Sequence, residues 1–280
     1  MKNLILRWVG LGLICALLPG LWNGLKEAYY PLDAPVSGGR VRIVFVSDLH
    51  DCAWGEDMAD LTQAVDRQKP DLILLGGDLF SDGAASPNTV RFLEEIAGKY
   101  PCYYVTGNHE YNGGAQAFED RMDQLRRLGI RRLSGDMVSL DVNGVRLNLC
   151  GVDDPAAWEH ACDPAAGAWK SFEAQLRDVS ALPRRGNYTV LLAHRPEYFD
   201  LYAACGFDLV LAGHTHGGQW AVPLILNGVY ASGQGYFPRY AGGKYELDGA
   251  VMIVGRGLTR KSAKLPRICN PPELVIVDLR

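Results

Sequence analysis

The chain has 280 residues, of which 48% are hydrophobic and 21% charged. That is enough apolar material to bury a sizeable core, which excludes a disordered, fibrous or disulfide-stapled protein. A formal net charge of −4 offers no basic face for wrapping DNA or RNA, so nucleic acid is not expected as a partner.

In chain order, the first feature is a stretch without charge from Trp8 to Leu25, preceded by Lys2 and Arg7 and followed by Lys26. As a helix it would reach roughly 27 Å, near the lower limit for crossing a bilayer. Pro19, Gly20, Asn23 and Gly24 interrupt its second half, so Trp8–Leu18 also suits the h-region of a signal peptide, but no small-x-small cleavage site follows. The expectation is an uncleaved signal anchor in the cell membrane; a cleaved signal peptide and a helix lying in the interface are the competing readings. The cations on the short leading side favour a cytoplasmic start and an extracytoplasmic body. Residues 1–29 are thus read as anchor or signal peptide, and 30–40, with two prolines and two glycines, as a linker. Residues 41–280 then form one folded domain, expected to be a monomer.

Within that domain short apolar runs alternate with helical stretches. Val41–Ser47 precedes a helix near Glu56–Gln68, Asp71–Leu75 one near Pro87–Lys99, and Tyr103–Thr106 one near Ala115–Leu128. Such alternation implies βαβ units and a partly parallel sheet, because continuous apolar strands need cover on both faces. Met137–Val142 and Val145–Cys150 read as a hairpin turned at Asn143-Gly144. A helix near Ala166–Val179 and strands at Thr189–Ala193, Leu209–Ala212, Ala250–Val254 and Leu274–Asp278 complete the pattern. The fold class is α/β, two packed mixed β-sheets flanked by helices, with an N-terminal membrane segment. The seven cysteines include no C-x-x-C pair, so a structural zinc site is not expected. Cys102 and Cys150 lie in apolar runs and read as small buried hydrophobes, while the disulfide status of the set stays open.

Where the apolar runs stop, one kind of residue follows. IVFVS leads to Asp48 and His50, LILLGG to Asp78, YYVTG to Asn108, His109 and Glu110, VLLA to His194, and LVLAG to His214 and His216. The carboxyl ends of strands in an open α/β sheet share one crevice, and Asp-x-His and His-x-His each put two donors on the same face of an extended chain. Oxygen and nitrogen donors without thiolate suit divalent Mn, Fe, Zn or Co. Two aspartates and four imidazoles crowded together without a cation would be poorly paired and costly, so the set points to a metal site. His160 follows no such run and reads as a surface residue.

These residues carry a resemblance. Asp48-x-His50, Gly77-Asp78, Gly107-Asn108-His109-Glu110, His194 and Gly213-His214-Thr215-His216 resemble, in order and spacing, the calcineurin-like metallophosphoesterase family. The run GHTHGGQ at 213–219, with Gly255-Arg256-Gly257-Leu258 and Pro271-Pro272-Glu273, looks closest to its membrane-anchored bacterial branch, typified by the YkuE and YaeI phosphodiesterases. The resemblance implies one metal on Asp48, His50, Asp78 and His216, a second on Asp78, Asn108, His194 and His214, with Asp78 bridging, and His109 as catalytic residue. It further implies hydrolysis of a phosphodiester or pyrophosphate bond by a dimetal-bound hydroxide, with manganese favoured. Many relatives carry an orienting acid three residues after the bridging aspartate. Here the acid, Asp82, comes four residues on, and Glu110 reads as a loop cap.

Arg195 and Arg256 are candidate substrate clamps, and the cations Arg256, Arg260, Lys261, Lys264 and Arg267 could hold a second phosphate, meet anionic lipid, or form a plain solvated face. Trp220, Tyr230, Tyr236, Phe237 and Tyr240 line a substrate groove or belong to the core. The substrate expected is a phosphoester or pyrophosphate, with a lipid-linked one such as UDP-2,3-diacylglucosamine as one alternative and a phosphomonoester as another. A catalytically silent scaffold would have lost ligand positions, and here all seven and His109 are present.

Overall fold

The computed structural model describes residues 19–34, 38–82, 85–159, 170–262 and 265–280. Trp8–Leu18, Cys15, His160, Cys162 and Lys264 lie outside them. The strands are β1 Lys26–Leu32, β2 Val41–Val46, β3 Leu72–Leu75, β4 Cys102–Tyr104, β5 Arg131–Arg132, β6 Asp136–Val142, β7 Val145–Gly151, β8 Tyr188–Leu192 and β9 Leu209–Ala212. Beyond them come β10 Tyr230–Ala231, β11 Gly235–Tyr236, β12 Gly243–Leu247, β13 Ala250–Val254, β14 Lys261–Ser262, β15 Leu265–Pro266 and β16 Glu273–Leu279. The helices are α1 Ala59–Gln68, α2 Pro87–Ala97, α3 Gly114–Arg127, α4 Ala156–Glu159, α5 Phe172–Ala181 and α6 Phe199–Ala204.

Two six-stranded sheets result, ordered β1-β16-β2-β3-β4-β5 and β12-β13-β9-β8-β7-β6. In the first, β2 to β5 run parallel, and β16 opposes β2 while pairing parallel with β1. In the second, β7, β8, β9 and β13 run parallel, with antiparallel β6 and β12 at the edges. Both are mixed, as expected. Strands such as LILL in β3 and YTVLL in β8 are buried at every position, because each sheet is covered on both faces.

The layers follow from where the apolar side chains go. Ile43, Phe45, Leu74, Leu147, Val190, Leu211 and Val277 meet between the sheets. Val44, Val46, Ile73 and Ile276 turn outward against α1, α2 and α3, whose buried residues recur at helical spacing, as with Leu61, Ala64, Val65 and Gln68. Leu191, Val210 and Met252 pack on the far side against Phe172, Leu176, Phe199 and Tyr202 of α5 and α6. Each fully buried Leu or Phe contributes about 1.5–3 kcal/mol, and the order helix, sheet, sheet, helix lets the central strands bury both faces. Cys102 and Cys150 are buried, and burial pushes both thiols up to about 12.

The linker expected from residue 30 begins too early. Tyr30–Leu32 are the end of β1, with Ala28 and Leu32 buried, and Pro31 is accommodated because an edge strand leaves its missing N–H unneeded. The last part of the uncharged stretch also joins the body: Leu25 packs on the core, Pro19–Leu21 form a 3₁₀ turn, and Cys269 N donates to Gly20 O at 2.6 Å. Among the described residues no helix is long and apolar enough to cross a membrane. Strand β12 and helix α6 were not anticipated.

Beneath the strand ends a buried carboxylate ties the sheets together. Asp153, after β7, accepts from Arg132 of β5 at 2.6 and 3.0 Å, from Thr106 after β4 at 2.9 Å, from Gln175 of α5 at 3.1 Å, and from the Ser134 hydroxyl. Burial alone would raise its pKa, but the charge and hydrogen bonds of Arg132 hold it below the ordinary carboxylate value. A lowered pKa means that the stabilisation is present above the unfolded value, about 4, and is lost as pH falls through the folded one. Asp153→Ala should therefore cost about 3 kcal/mol in urea unfolding at neutral pH. The gap to the parent should narrow as the pH is lowered below about 4.

Candidate metal centre

The parallel strands of both sheets end in one crevice, and the next few residues of each carry the polar side chains. The two sheets are stitched at this edge by backbone bonds from the segment after β13 to the end of β2, Leu258 N to Ser47 O at 3.1 Å and Thr259 N to Asp48 O at 2.7 Å among them. The local backbone is unusual: Asp48, His50, Asp78, His214 and His216 all have φ between 46° and 70°. Left-handed non-glycine residues each cost on the order of 1–3 kcal/mol and persist where function or packing over-determines them. Close approach also sets residue size here. A Cβ on Gly213 would stand 2.5 Å from Asp48 Oδ2, and one on Gly107 would collide with the Asp78 carboxylate.

The seven donors predicted from the sequence come together. Asp48, His50, Asp78 and His216 form one group able to hold a metal ion, and Asp78, His194 and His214 form another. Asp78 belongs to both, and its Oδ2 lies 3.7 Å from His50 Nε2 and 3.2 Å from His194 Nε2. Within the groups, His50 and His216 approach at 3.3 Å through their Nε2 atoms, and His194 Nε2 lies 3.2 Å from His214 Nδ1. Asn108 lines the same cavity of about 450 Å³, together with His50, Asp78, His109, His214 and His216.

These residues fit divalent metal on three observations. Nδ1 of His194 lies 2.8 Å from Gly76 O; a carbonyl only accepts, so this nitrogen carries the proton and neutral His194 turns a bare Nε2 lone pair toward Asp78. Lone pair thus faces lone pair unless a cation or an extra proton lies between. Secondly, Asp48 Oδ2 and Asn108 Oδ1 are buried without a hydrogen-bond partner, an arrangement that costs roughly 1–3 kcal/mol per atom if nothing coordinates them. Thirdly, the donors are all oxygen and imidazole nitrogen, the set suited to Mn, Fe, Zn or Co.

The titration of the cluster says the same in electrostatic terms. Burial on its own disfavours the His194 imidazolium, yet the charge and hydrogen bond of Asp78, aided by Asp48, carry it up to about 10. Burial raises Asp48 to about 6, and burial drives His50 down to about 4 and His214 and His216 well below their ordinary value. One imidazole keeps a proton at the position where the two carboxylates most need positive charge.

At the rim, His109 pairs through Nδ1 with Asp82, which also accepts from Asn112 Nδ2 at 2.8 Å. The acid four residues after Asp78 therefore does reach this histidine. Glu110 is fully buried and caps the Asp78 loop, accepting from the backbone N–H groups of Gly107, Asp78 and Leu79 at 2.6, 2.8 and 2.9 Å. Arg121, which sequence reading passed over, ties this loop to the neighbouring one by donating to the carbonyls of His109, Glu110, Asn112 and Ser81. Asn270 and Arg267 similarly donate to His216 O at 2.7 and 3.3 Å. The contacts of Asn270 and Arg267 are long-range, with no local spacing to announce them.

The two arginines expected to hold substrate are engaged elsewhere. Arg195 gives Nε and Nη2 to buried Asp154 at 2.7 and 3.1 Å, and removing it from that pair would strand a buried carboxylate. Arg256 is bonded to Gly217 O, Asn227 and Asn270 and lies 3.5 Å from Glu273. The basic cluster is dispersed as well: Arg260 stacks on Trp54 at 4.0 Å, and Arg267 is fully buried. Of the five aromatics, Tyr230 lines the cavity and Tyr240 is core, while Trp220, Tyr236 and Phe237 are exposed.

The model of the calcineurin-like phosphoesterase family matches residues 41–218. A metallophosphoesterase of Aquifex aeolicus is 29% identical over 248 residues, covering 87% of this chain and 86% of its own. The phosphodiesterase YaeI of Escherichia coli is 31% identical over 192 residues, covering 66% of this chain and 63% of its own. The chain spans only 56–59% of the length of three further relatives. Among solved structures, the NAD nucleotidase NadN of Haemophilus influenzae superposes with a TM-score of 0.53 at 16% identity, over 79% of this chain and 46% of that one, and shares the fold. With the ligand-bearing strand ends inside the matched span, the chain belongs to the calcineurin-like phosphoesterase family, hydrolases of phosphoester bonds that use a dinuclear divalent metal centre.

Proposed function

We propose that this protein hydrolyses a phosphodiester or pyrophosphate bond with two divalent metals, manganese favoured, while attached to a membrane by its N-terminal segment with the catalytic body outside the cytoplasm. The observation that carries the reading is the one carboxylate, Asp78, shared by two ligand clusters, its Oδ2 facing a histidine of each, in a solvent-open cavity. The phosphodiesterase name borne by YaeI supports the diester.

In this reading Asp48, His50, Asp78 and His216 hold one ion and Asp78, Asn108, His194 and His214 the other. Bound metals of this kind lower the pKa of water, orient the ester and offset its charge. The protein's own part is positional. Gly76 O fixes the His194 tautomer, and the backbone N–H of His214 fixes Asp48 Oδ1 at 2.9 Å, as that of His109 fixes Asp78 Oδ1 at 2.8 Å. Asp82 occupies Nδ1 of His109, which leaves Nε2 to give a proton to the departing oxygen.

His109→Ala should lower kcat by about 10²–10⁴-fold while elemental analysis still finds about two metals per chain. Asp78→Ala should lose both metals and all activity, and equal metal loss in the two variants would sink this division of roles. Asp82→Ala should lower kcat less than His109→Ala does, with metal content unchanged. With manganese restored after chelation, kcat/KM on bis-p-nitrophenyl phosphate should exceed that on p-nitrophenyl phosphate by about tenfold or more. The reverse preference identifies a phosphomonoesterase.

A further inference from the structure

Exposed apolar side chains are ordinary when scattered and informative when gathered. Among the described residues twelve large hydrophobic side chains are exposed, and seven lie between positions 220 and 237: Trp220, Val222, Leu224, Ile225, Tyr230, Tyr236 and Phe237. Leu224 is fully exposed and Ile225 83% exposed. From Gln219 to Phe237 the chain carries no Asp, Glu, Lys, Arg or His, although one residue in five of the whole chain is charged. A surface loop that meets only water has no physical reason for that composition.

The loop borders the metal cavity, because Gln219, Tyr230 and Ser232 line it beside the ligands. It is also tied to the start of the chain. Trp220 bridges to Ile268 and donates from Nε1 to Pro266 O at 2.9 Å, while Gly20 accepts from the next residue, Cys269. Leu21 and Trp22, 47% and 54% exposed, follow that contact. Strand direction adds the decisive geometry. β1 runs parallel to β16 with Lys26 beside Glu273, and β16 opposes β2 with Val275 beside Phe45. The chain therefore enters the fold at the end of the sheet where the metal ligands stand, and the uncharged residues Trp8–Leu18 precede that entry point.

We propose that the segment 220–237, with Leu21 and Trp22, docks on a lipid bilayer and holds the mouth of the metal cavity against the membrane surface. Aliphatic tips flanked by Trp and Tyr, whose apolar bodies carry polar handles, are the residue mixture suited to the boundary between acyl chains and headgroups. The proposal rests on the membrane attachment proposed above and adds which face of the body meets the lipid. The phosphoester it would favour is one presented at that surface.

The test uses the full-length, manganese-loaded protein in vesicles of phosphatidylethanolamine and phosphatidylglycerol, compared with the same protein in amphipol. Hydrogen exchange across 220–237 should slow by about tenfold in vesicles, and the double variant Leu224→Asp/Ile225→Asp should lose that slowing. The same variant should show a severalfold higher KM for hexadecyl p-nitrophenyl phosphate carried in the vesicles, with unchanged kcat/KM on soluble bis-p-nitrophenyl phosphate. Equal exchange in the two media overturns the proposal. So does a slowing that appears in amphipol and grows with protein concentration, which would assign the surface to a second copy of the chain. If the parent protein hydrolyses neither ester, the phosphodiesterase reading fails, while the exchange comparison still decides the docking.

Discussion

The structure is organised around one buried carboxylate on which both sheets converge. Asp78 is buried, its Oδ2 faces imidazole nitrogens from both sheets, and its Oδ1 is already held by a backbone N–H. Negative charge and lone pairs crowded around buried carboxylates repel, and the repulsion is strongest where solvent screening is weakest. Whatever supplies the missing positive charge also holds the two sheets' edges together, since the donors come from β2, β3 and β4 on one side and β8 and β9 on the other.

That demand explains features that are otherwise unfavourable. Five ligand candidates sit in left-handed backbone conformations, and glycines stand wherever a Cβ would strike a carboxylate. The support lies one shell outward: Glu110 caps the Asp78 loop, Arg121 joins the His109 loop to the Ser81 loop, and Arg267 with Asn270 anchors the His216 carbonyl. Four packed layers with fully buried strands provide the rigidity against which such strain can be held.

Much of this was readable from the sequence because it is local. Alternating apolar runs and helical stretches gave the layers, and the residues just past each run gave all seven donors and His109. Strand β1 was missed because an edge strand needs only one buried face, so KEAYYPL, with its proline, lacks the apolar run that marked the others. The partners of Arg195 and Arg256 have no mark in the sequence, since only the fold brings Asp154 and Asn270 against them. Asp153 has no mark in the sequence because its partners lie far along the chain, and Arg121 none because its partners are backbone carbonyls, which every residue carries.

The position of β1 has a practical consequence. A chain shortened to begin at residue 41, where the regular alternation starts, would lack the strand that pairs with β16 from Lys26 to Leu32. It would bare the backbone edge of ELVIVDL, a nearly continuous apolar segment, and an unpaired edge of that kind recruits other chains into intermolecular sheets. Recombinant fragments meant to be free of the leading apolar stretch are best started at the 3₁₀ turn of Pro19–Leu21, which keeps that border closed.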